Sequence, residues 1–397
     1  RRVHGGSMLS FPSILSFGAA VTLSRFKNHR TKPLTRASME SPQEPYNRET
    51  EVKSFDATKK GVKGLVDEGI KSIPRMFIHP IEPQAKPARD DITIPVIDLD
   101  GVNSSPLRRN QAIEEITRAC REFGFFQLVN HGAPVEAIDA VLRSVKAFHE
   151  LPHEAKAPLY ERGFVGVNFV SNLDLFKSTA ATWRDTLQIV VGPRLPEVVE
   201  KIPELCKKEV LEWTEHGTRV CELVMELISE GLGLPGGTLK ELSCSQGKQM
   251  VGHYYPFCPQ PDLTKGLGSH TDPGVLTVLL QDDVGGLQVK CGGEWVPVKP
   301  TRGAIVINVG DMLQMITNDE CVSVEHRVLT NRGNAPRVSV AIFFILSERD
   351  RVLEPLPQLV SPEKPPIYRK FTTAEFMRAF ISKQIGDKAL REQFKVG

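Results

Sequence analysis

The segment Arg337-Val338-Ser339-Val340-Ala341-Ile342-Phe343 places the tightest constraint on the fold. Side chains on an extended strand alternate between its two faces. Val338, Val340 and Ile342 therefore share one face, and Arg337, Ser339, Ala341 and Phe343 share the other. The first face is entirely β-branched and the second is nearly as apolar, so the strand is expected to be buried on both sides. That puts a guanidinium inside the protein, which costs several kcal/mol unless an anion meets it. No acidic residue stands on its face of the strand, so a bound carboxylate is an attractive partner for the planar guanidinium fork. The distant Asp311 is the internal alternative, and Ser339 could simply be a small core residue.

The surrounding sequence has the same character. From about residue 245 to 346, short strand-like runs alternate with Gly, Pro and Asp turns. Leu287-Gln288-Val289-Lys290 and Trp295-Val296-Pro297-Val298 flank Cys291-Gly292-Gly293-Glu294, a hairpin signal. Such spacing suggests a sandwich or jelly-roll barrel. Upstream, Ile94-Pro95-Val96-Ile97-Asp98-Leu99 and Phe125-Phe126-Gln127-Leu128-Val129 read as strands. Ser105-Pro106 caps a helix that ends at Gly124. Val135 to Phe148 and Val210 to Leu232 carry apolar residues at helical spacing, with a loop-rich stretch between them. Thr372 and Glu375 form a capping box before Phe376 and Phe380.

The class is therefore α+β with a mainly β core: helices, then a barrel, then helices. The boundaries expected are a helical N-terminal region at 94–244, the barrel core at 245–346 and a helical tail at 347–397. The polar, Pro-rich residues 39–93 read as an arm over the body, with a helical stretch around Lys60–Asp67.

Charge bears on function chiefly by exclusion. Residues 1–38 hold seven of the 50 basic residues and no acid, so the rest carries 43 basic against 48 acidic residues. A mildly acidic body gives no footprint for nucleic acid. The basic leader reads as a non-native extension or as an organelle transit peptide. No apolar run approaches the roughly 20 residues that span a bilayer. Seven scattered cysteines without a Cys-x-x-Cys pair argue for a reducing compartment and against a zinc ribbon. A cytoplasmic location follows, or a plastid one if 1–38 is a transit peptide. No protein partner is implied.

Chemistry concentrates in Gly268-Ser269-His270-Thr271-Asp272-Pro273-Gly274. Alone, Asp272-Pro273-Gly274 is more often a turn than a ligand site. His270 and Asp272 share a face if the segment is extended, and the next histidine is His326. It lies among Val322, Val324 and Val328 on an inward-facing edge. A lone inward histidine is more often hydrogen-bonded core than ligand. Two histidines and one carboxylate, however, are the facial triad that holds Fe(II) with open positions. His131 and His149 read as a turn residue and a helix-end residue, outside any ligand set.

His270-x-Asp272, His326 and Arg337-x-Ser339 in this order resemble the 2-oxoglutarate and Fe(II)-dependent dioxygenases of plants. His253-Tyr254-Tyr255-Pro256-Phe257-Cys258-Pro259 is similar to that family's Asn-x-Tyr-Pro-Pro-Cys-Pro segment, with His253 and Phe257 standing where Asn and Pro are usual. Gly61-Val62-Lys63-Gly64-Leu65, Ile73-Pro74-Arg75-Met76-Phe77 and Trp183-Arg184-Asp185-Thr186-Leu187 resemble the group of 1-aminocyclopropane-1-carboxylate oxidase homologues. The resemblance implies a double-stranded β-helix (jelly-roll) barrel with His270, Asp272 and His326 as iron ligands. It implies that Arg337, Ser339 and Tyr255 hold the cosubstrate 2-oxoglutarate, with His253 near it. O2 would be consumed, ascorbate would stimulate, and succinate and CO2 would be released as a small specialised metabolite is hydroxylated or desaturated. Phe343 would wall the substrate pocket or simply pack in the core. Two alternatives stand beside this reading. One is an ascorbate-using oxidase like 1-aminocyclopropane-1-carboxylate oxidase itself, and the other is an inactive small-molecule-binding barrel.

Overall fold

The strand-like runs pair into two main sheets in the computed structural model, which describes residues 46–80, 92–163, 166–193, 195–382 and 390–397. The leader expected at 1–38 lies outside the described residues. In chain order the strands are β1 (Val96–Asp98), β2 (Phe125–Val129), β3 (Val167–Val170), β4 (Asp185–Gly192), β5 (Gly247–Tyr255) and β6 (Leu267–His270). Then come β7 (Leu276–Gln281), β8 (Leu287–Cys291), β9 (Glu294–Pro297), β10 (Ile305–Val309), β11 (His326–Val328) and β12 (Arg337–Ile345). The larger sheet runs β1-β2-β10-β7-β12-β5-β4-β3, and the smaller β6-β11-β8-β9. Apart from the parallel pair β1–β2, neighbouring strands are antiparallel.

Alternation gives the larger sheet two unlike faces. Phe126, Leu128, Val278, Ile307, Val340, Ile342 and Phe344 point outward into the principal core. Val141, Val145 and Phe148 of the helix Val135–His149 cover them, with Val220, Val224 and Ile228 of the helix Glu204–Gly231. Each of these buried aliphatic or aromatic side chains contributes roughly 1.5–3 kcal/mol. The inward face is different. One cross-strand row there reads Gln281, Ser339, His253 and Thr186 along β7, β12, β5 and β4. Its apolar part, with Phe125, Tyr255 and Val306, shares a second core with Leu267, Leu287, Val289 and Val328 of the smaller sheet. The two sheets thus close face to face as the jelly-roll barrel.

Local signals explain the connections. Gly292 and Gly293 both take positive φ (57° and 88°) between β8 and β9, as a tight hairpin turn requires. Ser105 caps the helix Pro106–Glu122 by accepting from Arg108 N. Glu375 N donates to Thr372 Oγ1 at the start of the helix Thr373–Ser382. The stretch expected to be loop-rich holds β3 and β4, so residues 94–244 supply four strands as well as helices. No helix among the described residues is long and apolar enough to cross a membrane.

The arm contains the helix Gly61–Asp67 and also Arg48–Thr58, which polar composition concealed. Val52, Phe55, Met76 and Phe77 form a third core with Trp183 and Cys258 of the body. Asp185 at the start of β4 is fully buried and accepts from Val62 N and Lys63 N, both at 2.8 Å. Gly61 is required beside it: φ is +70°, and a Cβ there would lie 2.5 Å from the Asp185 carboxylate. Asp185→Ala leaves a buried N–H without an acceptor, at a cost of about 1–3 kcal/mol. Urea unfolding should register that loss, and hydrogen exchange should quicken at residues 61–67 ahead of the barrel.

Candidate active site

β6 ends at His270, and its antiparallel partner β11 begins at His326, directly opposite in register. The chain turns after β6 and brings Asp272 beneath both imidazoles. His270 Nε2 lies 3.6 Å from Asp272 Oδ1, and His326 Nε2 lies 3.5 Å from the same oxygen. The two rings are 4.2 Å apart, and the three donor atoms lie within 4.8 Å of one another. Among the described residues this is the one cluster of three or more His, Cys, Asp or Glu able to hold a metal ion.

Each donor is aimed by its neighbours. His270 Nδ1 is 2.9 Å from the Gly268 carbonyl, and His326 Nδ1 is 3.4 Å from the Val324 carbonyl. With Nδ1 donating there, each Nε2 presents its lone pair toward Asp272. Burial, then repulsion from His326, brings the His270 pKa down to about 3, so its imidazole is neutral. Asp272 Oδ2 accepts from Thr277 Oγ1 at 2.5 Å and Asn308 Nδ2 at 2.7 Å, leaving Oδ1 for the histidine side. Burial works against the Asp272 charge. His326, His270, Thr277 and Asn308 outweigh it, and the pKa falls below the ordinary carboxylate value. Two imidazoles and one carboxylate with open positions fit Fe(II).

The sequence did not point to Thr277 and Asn308. Thr277 stands in the stretch that carries the motif, but Asn308 becomes its neighbour only through the β7–β10 register.

Arg337 begins β12 and is 2% exposed. It donates from Nη1 to Ser339 Oγ at 3.1 Å and from Nη2 to Gln281 Oε1 at 3.3 Å. Its Nε has no acceptor among the described residues. Tyr255, opposite in register, turns its ring toward the guanidinium at 5.0 Å. Arg337, Ser339 and Tyr255 are thus together, with Gln281 as an unforeseen fourth member. The internal partner considered for Arg337 is occupied elsewhere: Asp311 pairs with Arg391 at 2.8 Å and accepts from Thr271. The acid near Arg337 is Asp282, whose carboxylate accepts the Val338 N–H.

His253 stands outside the metal cluster, with Nδ1 2.9 Å from Thr186 Oγ1 and its cross-strand partner Ser339 alongside. Burial, then the charges of Arg184 and Arg337, hold it far below the usual histidine pKa, hence neutral. The Phe257 carbonyl accepts from Trp183 Nε1 at 3.0 Å, which closes the turn where the second proline is usual. Phe343 faces inward opposite Thr277 and Gln249, outside the hydrophobic cores. His131 bonds the Gly303 carbonyl and His149 the Gly252 carbonyl, both away from the cluster.

Residues 246–345 match the 2OG-Fe(II) oxygenase superfamily, and residues 94–206 match the non-haem dioxygenase in morphine synthesis N-terminal family. The 1-aminocyclopropane-1-carboxylate oxidase homolog 3 of Arabidopsis thaliana is 42% identical, covering 88% of this chain and 98% of its own. Deacetoxyvindoline 4-hydroxylase of Catharanthus roseus is 39% identical, covering 87% and 89%. A crystal structure of JOX2 in complex with 2OG, Fe and JA shares 32% identity with a TM-score of 0.75, covering 85% of this chain and 98% of that one. A double-stranded β-helix with a His-Asp-His cluster between its sheets defines a dioxygenase that uses Fe(II), 2-oxoglutarate and O2. The chain belongs to the plant 2OG-Fe(II) oxygenases, in the group of 1-aminocyclopropane-1-carboxylate oxidase homologues.

Proposed function

We propose that His270, Asp272 and His326 hold Fe(II) and that Arg337, Ser339 and Tyr255 hold the distal carboxylate of 2-oxoglutarate. The enzyme then hydroxylates or desaturates a small, specialised-metabolite substrate with release of succinate and CO2. One observation carries this reading: two histidine Nε2 atoms converge on one Asp272 oxygen while Thr277 and Asn308 hold the other.

Iron with 2-oxoglutarate and O2 supplies the oxidising power to break a C–H bond. The protein's part is positioning. The two Nδ1–carbonyl bonds fix the tautomer that leaves Nε2 as the metal-facing nitrogen and limit the rotation of each ring. Thr277 and Asn308 keep the carboxylate from turning its second oxygen to the metal. Ser339 and Gln281 brace Arg337, whose free Nε and charge-assisted donors suit a carboxylate held bidentately. Phe343 supplies an apolar wall on the same inward face.

Purified protein with Fe(II) should consume 2-oxoglutarate and release succinate. Ethylene formation driven by ascorbate from 1-aminocyclopropane-1-carboxylate, without 2-oxoglutarate, would replace this reading with the oxidase one. His270→Ala and Asp272→Ala should lose anaerobic Fe(II) binding and turnover while circular dichroism stays native. A variant that binds Fe(II) as before would remove that residue from the site. Thr277→Val should weaken Fe(II) binding by about 10–100-fold, the usual effect of losing a ligand's hydrogen-bonding support. Arg337→Ala should raise the 2-oxoglutarate KM by about 100-fold, the scale of truncating one side of a buried charge pair. An unchanged KM would sink the clamp assignment.

A further inference from the structure

Trp183-Arg184-Asp185-Thr186 leads into β4, and successive side chains point to opposite faces of the larger sheet. Asp185 points outward to the arm, where it accepts from Val62 N and Lys63 N. Thr186 points inward, within hydrogen-bond distance of His253. Arg184, two residues before Thr186, shares the inward face and is 7% exposed. Trp183 and Asp185 on either side of it both face the arm, so Arg184 faces away from the arm, toward the side on which Thr186 meets His253.

This arginine is unlike Arg337 in one respect. Its Nε and Nη1 are buried and have no acceptor among the described residues, and no ion pair of Arg184 is found among them. The adjacent Asp185 and the site's Asp272 are both engaged elsewhere. Asp185 faces the arm, and Asp272 is turned to the histidine pair, with its Oδ2 accepting from Thr277 and Asn308. A desolvated guanidinium with idle donors is unfavourable until an anion arrives. Arg337 already has Ser339 and Gln281 around it, and one dicarboxylate cosubstrate accounts for it. Arg184 is therefore a second buried guanidinium, besides Arg337, whose donors call for an anion of their own.

We propose that Arg184 is the anchor for a carboxylate on the primary substrate, so that the enzyme acts on a small organic acid. The proposal rests on the iron and 2-oxoglutarate reading above and deepens it. The planar fork matches a carboxylate through two parallel N–H donors, which fixes both the distance and the direction of the acid relative to the iron. Trp183 and Asp185 hold the backbone on either side: the indole donates to the Phe257 carbonyl, and the aspartate ties down the arm.

The test uses the full chain, loaded anaerobically with Fe(II) and saturating 2-oxoglutarate. The probes are cyclic and aromatic monocarboxylic acids, each paired with its methyl ester, and binding is read by calorimetry and thermal shift. The wild type should bind acids about tenfold or more tightly than the matching esters, as expected for loss of a charge-assisted pair. Arg184→Gln should abolish that preference, while Arg184→Lys should keep it with weaker binding. In both variants the Kd for 2-oxoglutarate should stay within about twofold of the wild type. Equal binding of acids and esters by the wild type, no binding by any acid of the panel, or an acid preference surviving in Arg184→Gln would overturn the proposal. So would a large rise in the 2-oxoglutarate Kd of Arg184→Gln, which would move the arginine to the cosubstrate site. If Arg184→Gln fails to fold, the acid-over-ester ratios of the wild type and Arg184→Lys decide. Fe(II) and 2-oxoglutarate binding by the wild type are measured first, and their failure would sink the underlying reading instead.

Discussion

The pairing of β6 with β11 is the contact on which the metal cluster depends. It sets His326 opposite His270 although Asp272 and His326 are separated by a long run of intervening chain. A slip of one residue would turn His326 to the other face of its strand and leave two ligands. The register is protected on the far side of β11, where His326, Arg327 and Val328 pair with Val289, Gln288 and Leu287 of β8. It is also anchored by apolar burial, since Val328, Val289 and Leu287 belong to the inner core. Chemistry at the barrel mouth thus rests on aliphatic packing beneath it.

The larger sheet divides its labour between its two faces. Outward, it is continuous with the helical layers and supplies stability through area removed from water. Inward, it carries arginine, serine, histidine, threonine and glutamine in rows across four adjacent strands. Trp183-Arg184-Asp185-Thr186 shows how closely the two are joined. Trp183 packs against Phe77 of the arm, Asp185 binds the arm helix, and Thr186 touches His253. The arm is thereby fastened to the same four-residue run whose other two members, Arg184 and Thr186, face inward.

Much of this was legible in the residues. Alternation in Arg337–Phe343 put the arginine inside, and the order of His270, Asp272, His326, Arg337 and Ser339 pointed to one chamber. Other features escaped for identifiable reasons. Thr186 to Val191 has a two-residue period, but Gly and Pro around it made the stretch read as loop, and β3 and β4 were missed. The helix Arg48–Thr58 is polar along much of its length and buries only Val52 and Phe55. Asn308 and Gln281 carry no local signal, because their importance comes from what stands across the strand from them. The same holds for the idle donors of Arg184.

The sequence by itself determined which way side chains face. Period-two alternation is a property of the extended backbone, so the inward parity of His326, Arg337 and Ser339 needs no tertiary information. Only the tertiary structure decided who meets whom. Strand register placed Asn308 beside Thr277 and Asp272, and Gln281 on Arg337, while the packing of the C-terminal segment brought Arg391 to Asp311. That last contact removes Asp311 as a counterion for Arg337, because an acid already engaged by one guanidinium does not serve another.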